Sequence, residues 1–135
     1  MQIVKSVVAV ALSVAAAIFL FMVIEGVGSI LHPWPENFAG TFDEISHQVE
    51  TYPVWVLALL GGVGYGATMW ICSFIATRIG HNRNPWHGYG VGVVLFSGVV
   101  LNMTQLPYPI WFWVLMFVVL PPAAYCGAKF ASVSR

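Results

Sequence analysis

The chain has 135 residues, 59% apolar and 7% charged, and its five basic and five acidic side chains cancel to a formal net charge of zero. An ordinary soluble domain carries about 45–50% apolar and about 25% charged residues, so this chain has too few charges to clothe a water-facing surface. Those proportions exclude a typical soluble enzyme, a nucleic-acid binder with a basic face and a disordered chain, and they point to a single integral membrane domain over residues 1–135.

The first predicted span runs over about 3–31. Lys5 precedes its long apolar run, and Ala15, Ala16 and Ala17 offer the small residues of a cleavage region. The apolar run continues to Ile24, beyond the roughly 7–15 residues of a signal core, so it reads as a retained signal-anchor helix. Glu25 is the one ionisable residue inside a span, and such a residue is a functional candidate by default. Twenty residues beyond Lys5, it stands roughly 30 Å along the helix at 1.5 Å per residue, near the far edge of the hydrocarbon.

Residues 32–53 form the only sizeable segment outside the bilayer. Thr41 and Glu44 have the spacing of a capping box. Phe42, Ile45, Val49 and Tyr52 recur at helical spacing, which predicts a short amphipathic helix on the membrane surface with its acidic face to water.

The second span is predicted over about 54–79, the third over about 89–106 and the fourth over about 110–131. Together they specify an all-α membrane protein, a four-transmembrane-helix bundle. Small residues recur along every span, and in lipid such stripes let helix backbones approach closely. Gly62, Gly66, Gly88, Gly92 and Gly127 are the predicted helix-packing seam. Pro121 and Pro122 predict a kink near the middle of the fourth span, because proline lacks the amide donor. Cys72 and Cys126 read as buried thiols. His81 and His87, either side of Arg83, read as solvated loop residues.

Charge placement predicts the topology. Lys5, Arg78, Arg83, Lys129 and Arg135 all fall on one side, whereas Glu36, Asp43, Glu44 and Glu50 fall on the other with no Lys or Arg. The positive-inside rule then makes both termini cytoplasmic. Trp34, Tyr52, Trp55, Tyr108, Trp111 and Trp113 form the outer aromatic belt, and Trp86 and Tyr89 the inner one.

The boundaries His32-Pro33-Trp34-Pro35 and Leu106-Pro107-Tyr108-Pro109 resemble one another, as a duplicated helical hairpin would require. The candidate polar intramembrane cluster is Glu25, His32, Asn102 and Gln105, able to relay protons, bind a cation or fix packing through interhelical hydrogen bonds. There is no GxSxG elbow, HExxH or phosphate-binding glycine loop, so no enzyme, cofactor, metal or catalytic residue is expected.

The Glu25…His32-Pro33-Trp34-Pro35 stretch, the boundary from Leu106 to Trp113 and the Pro121-Pro122-Ala123-Ala124-Tyr125 run together resemble small four-span bacterial integral membrane proteins of no established function. That resemblance implies a bacterial inner membrane and carries no activity. The residues lead to the expectation of a non-enzymatic membrane protein acting through helix contacts, as an accessory subunit or a self-associating bundle. Its partners would be membrane lipid and either a second copy or another membrane protein, with no nucleic acid. The alternative is a small oligomeric proton- or cation-coupled transporter or channel that uses Glu25.

Overall fold

The computed structural model describes residues 1–133; Arg135, counted above among the basic residues, lies outside them. The described residues are helical without strands, in the order α1 (Gln2–Leu31), α2 (Phe42–Glu50), α3 (Val54–Ile79), α4 (Pro85–Gln105) and α5 (Ile110–Val133). Four of these, α1, α3, α4 and α5, are long and apolar enough to cross a membrane. Short connections make them run up and down. One end of the bundle carries the N-terminus, the 80–84 turn and the end of α5, and the opposite end carries the 32–53 segment and the 106–109 turn.

Local sequence sets each helix boundary. Thr41 and Glu44 form the complete capping box: the Thr41 hydroxyl accepts from the Glu44 amide at 3.3 Å, and the Glu44 carboxylate accepts from the Thr41 amide at 3.1 Å. Gly40 leads into that cap at φ +82°, where a residue with a side chain is strained. The third span starts at Pro85 rather than near Tyr89. Asn84 caps it by accepting from the Trp86 amide at 3.1 Å, and Pro85 occupies the first helical position, where its missing donor costs nothing. The fourth helix continues through Pro121 and Pro122 to Val133.

α3 is the hub and touches each of the other spanning helices, whereas α1 rests on α3 and only lightly on α4. α1 and α5 share no face comparable to that between α3 and α4. A duplicated hairpin about a twofold axis would make those two pairs equivalent, so the helices are not arranged in that way. Toward the terminal end the helices meet through small residues. Ala9, Ser13, Ala17, Cys72, Ala76, Ala128 and Ala131 are buried there at 0–1% exposure. Ser73 and Thr77 also lie in this half, fully buried, and their hydroxyls have no hydrogen-bond partner among the described residues. Cys126, in contrast to Cys72, is exposed on the outside of the bundle, so the reading of two buried thiols holds for Cys72 alone.

The glycines show how tight this half is. A Cβ on Gly127 would strike the Trp70 carbonyl, and one on Gly88 would strike the Thr77 hydroxyl and stand 2.6 Å from both the Ser73 carbonyl and the Ala128 Cβ. On Gly92 it would meet the Ala124 Cβ at 2.7 Å, and on Gly66 the Val119 Cγ1 at 2.9 Å. Gly62 departs from the expected seam, because a Cβ there meets only Leu115, at an ordinary 3.9 Å. Gly61 takes its place: a Cβ there would stand 2.5 Å from the Phe112 ring and 2.7 Å from the Met116 methyl. The cause is a π-helical stretch over Leu59–Tyr65, whose extra residue per turn puts Gly61 and Gly66, rather than Gly62 and Gly66, on the face toward α5.

Two outcomes follow. Gly127→Ala should destabilise the bundle by about 1–3 kcal/mol through overpacking against backbone, whereas Gly62→Ala should stay within about 0.5 kcal/mol of wild type, both read by thermal unfolding in detergent. Hydrogen bonding from the Thr41 amide holds the Glu44 carboxyl below its ordinary value of 4.5, against the opposing effect of burial and with help from the Thr41 hydroxyl and the Ala39 and Gly40 amides. A depressed carboxyl stabilises above its unfolded value and loses that contribution as pH falls through the folded one. Amide protection over 42–50 should therefore weaken on acidification below 4.5, and Glu44→Gln should remove that acid-dependent step.

Candidate functional site

The opposite half of the bundle is built from large side chains. Phe21, Tyr65, Leu57, Met103, Phe112 and Met116 fill the space between its helices. Above them the helices part around a cavity of about 600 Å³, walled by the last turns of α1, the first turns of α3, the end of α4 and the start of α5. The 32–53 segment covers it. Trp34 and Phe38 line it from the stretch after α1, and Ile45, Gln48 and Val49 line it from α2. The amphipathic helix thus turns Ile45 and Val49 onto the cavity, while Phe42 alone of the expected apolar stripe is left 59% exposed.

Gln48 fastens this cover. Its amide donates to the carbonyls of His32 at 2.9 Å and Pro33 at 3.2 Å, where the chain leaves α1, and the residue is only 4% exposed. The His32 ring bonds the Thr51 hydroxyl at 2.9 Å and lies 4.7 Å from the Tyr52 ring. These contacts tie the C-terminal end of α2 to the end of α1.

The predicted polar cluster divides. Glu25 and Asn102 both line the cavity, from α1 and α4. His32 does not, because α1 ends at Leu31 and the ring turns outward to Thr51. Gln105 is exposed and also lies off the cavity wall. The polar groups that accompany Glu25 and Asn102 are instead Ser29, Gln48 and the phenols of Tyr52, Tyr65 and Tyr108. Burial raises the Tyr52 phenol above its ordinary value, and the Glu25 charge raises it further. Burial likewise raises Tyr108, a hydrogen bond from Asn102 acts against it, and the charges of Tyr52 and Glu25 add to the rise. Glu25 shares the cavity with tyrosines from the loop before α3 and the loop before α5.

The predicted seam glycines lie away from this site, apart from the π-helical stretch, where Gly61 lines the cavity. Pro121 and Pro122 are also remote; Pro121 borders a shallow groove with Tyr89, Phe96 and Tyr125. His87 is not the solvated loop residue its position suggests: its ring bonds the Ser6 hydroxyl at 2.8 Å and the Asn84 carbonyl at 3.0 Å, joining α1 to the start of α4. Among the described residues no group of three or more His, Cys, Asp and Glu side chains is placed to hold a metal ion.

No known family matches. Comparison with protein-family models, with curated proteins and with solved structures finds nothing similar to this chain. The site must therefore be read from its own chemistry.

Polarity in apolar surroundings marks Glu25 and Asn102 in the sequence. Tyr52 and Tyr108 read there as members of an interfacial belt, and a glutamine on a short surface helix, as Gln48 is, carries no signal until its two carbonyl acceptors are known. Gln48→Leu should leave those carbonyls unpaired at a cost of about 1–3 kcal/mol. Its readout is faster amide exchange over 42–52 with α3, α4 and α5 unchanged; unchanged exchange over 42–52 would show that apolar contact alone holds the cover.

Proposed function

We propose that the protein is a non-enzymatic, multi-pass membrane protein that admits a cation to Glu25 from one face of the membrane, as a small transporter or channel. One observation carries the reading: the single carboxylate within a span lines a roomy cavity at the end of the bundle that has no Lys or Arg. A carboxylate that only fixed packing would be expected in a dry seam between helices, bonded to a neighbour. The seam residues Ala9, Ser13 and Ala17, with Gly88, Gly92 and Gly127, are used up inside the one bundle, which takes away the main support for self-association through them.

The orientation we propose puts both termini in the cytoplasm and the cavity outside, in a bacterial inner membrane, in keeping with the placement of basic residues. Passage beyond Glu25 requires the glycine-packed half to loosen, or a second copy to complete the path. A contact role retains one specific support: Gly90 and Gly98 on α4 have open space where a Cβ would stand, Gly90 in a groove bordered by Val10 and Val14 of α1. A partner helix could approach closely there.

Reconstituted vesicles decide between these readings. Wild-type protein should speed the passage of protons or of Rb⁺, and Glu25→Gln, nearly the same shape without the charge, should cut that rate at least about tenfold while the fold survives, equivalent to about 1.4 kcal/mol or more in the barrier. Equal rates in both would remove Glu25 from any transport role. Absence of wild-type flux would return the protein to the contact reading, and Gly90→Leu would then be expected to disrupt its assembly.

A further inference from the structure

The chemistry of the cavity wall narrows what can sit against Glu25. An inorganic cation such as Ca²⁺ takes about 6–8 oxygen ligands, and Mg²⁺ takes about six in a strict geometry. The cavity offers a single carboxylate; its other oxygen groups are the neutral amides of Asn102 and Gln48, the Ser29 hydroxyl and three phenols, and the rest of the wall is aromatic and aliphatic, a set poor in the charged oxygens that such ions favour. Six aromatic rings line it: Trp34, Phe38, Tyr52, Tyr65, Tyr108 and Phe112. Several are held in pairs that fix their faces, with Trp34 and Phe38 4.2 Å apart between centroids and Tyr108 stacked on Phe112 at 4.8 Å. Phe21 meets Tyr65 edge-on at 5.3 Å, setting the plane of that ring.

Aromatic faces attract a desolvated cation, and quaternary ammonium groups are recognised in this way. A volume of about 600 Å³ lies in the range of sites for small organic molecules, roughly 300–1,000 Å³. All five acidic residues lie between Lys5 and Arg78, a stretch without any Lys or Arg. Apart from Glu25 they sit on the 32–53 segment that covers the cavity, so the mouth favours approach of positive charge and disfavours anions.

We infer that this cavity is a binding site for an amphipathic organic cation, whose charge lies against Glu25 and whose apolar body lies among the rings of Tyr65, Tyr108 and Phe112. The inference rests on the reading of Glu25 as a cation site and adds the class of cation. Glu25 supplies the attraction specific to charge. The rings supply the apolar surface and reward a diffuse, weakly hydrated charge over a compact, strongly hydrated one.

The probe is tetraphenylphosphonium, with triphenylphosphine oxide as a neutral body of similar shape, and binding to the full chain in detergent is measured by equilibrium dialysis. Wild type should bind the cation saturably and the neutral compound at least about tenfold more weakly. Glu25→Gln should weaken the cation at least about tenfold and leave the neutral compound unchanged. Tyr65→Leu and Tyr108→Leu should each weaken it about threefold to thirtyfold, the range of a partly to fully desolvated cation–aromatic contact. A measurement on the wild-type chain guards against misfolded variants: saturating tetraphenylphosphonium should protect Glu25 from a hydrophobic carbodiimide, read by mass spectrometry. No saturable binding, equal binding of the neutral compound, or undiminished labelling of Glu25 would each overturn the inference. Glu25-dependent flux of Rb⁺ or protons without phosphonium binding would overturn the organic class and leave the cation reading standing. Phosphonium binding with protection of Glu25 but no flux of any cation would support the site and overturn transport.

Discussion

Backbone contact in the terminal half of the bundle is the constraint from which the rest of the structure follows. Lipid tails are as apolar as leucine, so helices in a membrane associate through close packing and not through exclusion from water. Here Gly127 lies on the Trp70 carbonyl and Gly88 on the Ser73 carbonyl, distances that only a residue without a Cβ permits. The helices are thereby held as near as backbones allow at one end. At the other end Phe112, Tyr65, Met103 and Met116 stand between the same helices and hold them apart. A bundle with small residues in one half and large ones in the other has the shape of a wedge, and its cavity is the open side.

The π-helical stretch of α3 lies where those two halves meet. Three glycines within Leu59–Tyr65 weaken the preference for a regular α-helix and remove the side chains that would resist an extra residue in the turn. The wider turn changes which side chains share a face: it sets Gly61 against Phe112, turns Gly64 toward Ile24, whose Cγ1 a Cβ there would meet at 3.2 Å, and leaves Tyr65 on the cavity wall against Phe21. Such turns are frequent at functional sites because a shift of one residue re-aims every side chain beyond it. In this chain the re-aimed residue is Tyr65, on the helix that touches every other span.

The parts of the fold written in local pattern were legible from the residues. Four long apolar runs gave the spans, and Thr41 with Glu44 gave the cap of α2, because hydropathy and capping depend on neighbours in sequence. Asn84-Pro85 is an equally local signal for the start of α4, and an apolar criterion passes over it, since Trp86, His87 and Gly88 look polar or indifferent. Gly62 was assigned to the seam by counting four residues per repeat, which a π turn makes five. The polar cluster divided for a tertiary reason. His32 is aligned with Glu25 only if α1 continues straight past it, and the Gln48 amide, bonded to the His32 and Pro33 carbonyls, instead draws the chain aside. His87 and Cys126 show the same limit in opposite directions, one engaged with Ser6 and the other exposed, because neither burial nor partner is encoded within a few residues of either.

Glu25 and the cavity require each other. A carboxylate in an apolar seam without a cation carries a desolvation cost of several kcal/mol, and the chain has no Lys or Arg between Lys5 and Arg78 that could offset it. Two arrangements are compatible with a glutamate there: a neighbouring hydrogen-bond donor set that replaces water completely, or access to water and to mobile cations. The side-chain donors that line the cavity are Trp34, Asn102, Ser29, Gln48 and three tyrosines, and Gln48 is already engaged with the His32 and Pro33 carbonyls. Ser29 bonds its own helix, at the Gly26 carbonyl. With Gln48 and Ser29 committed elsewhere, Glu25, itself exposed, draws its compensation from the remaining donors and from what enters the cavity. A cover fastened by Gln48 and capped by Thr41 and Glu44, rather than a fixed wall, is what such an arrangement needs, since what compensates Glu25 must also be able to arrive.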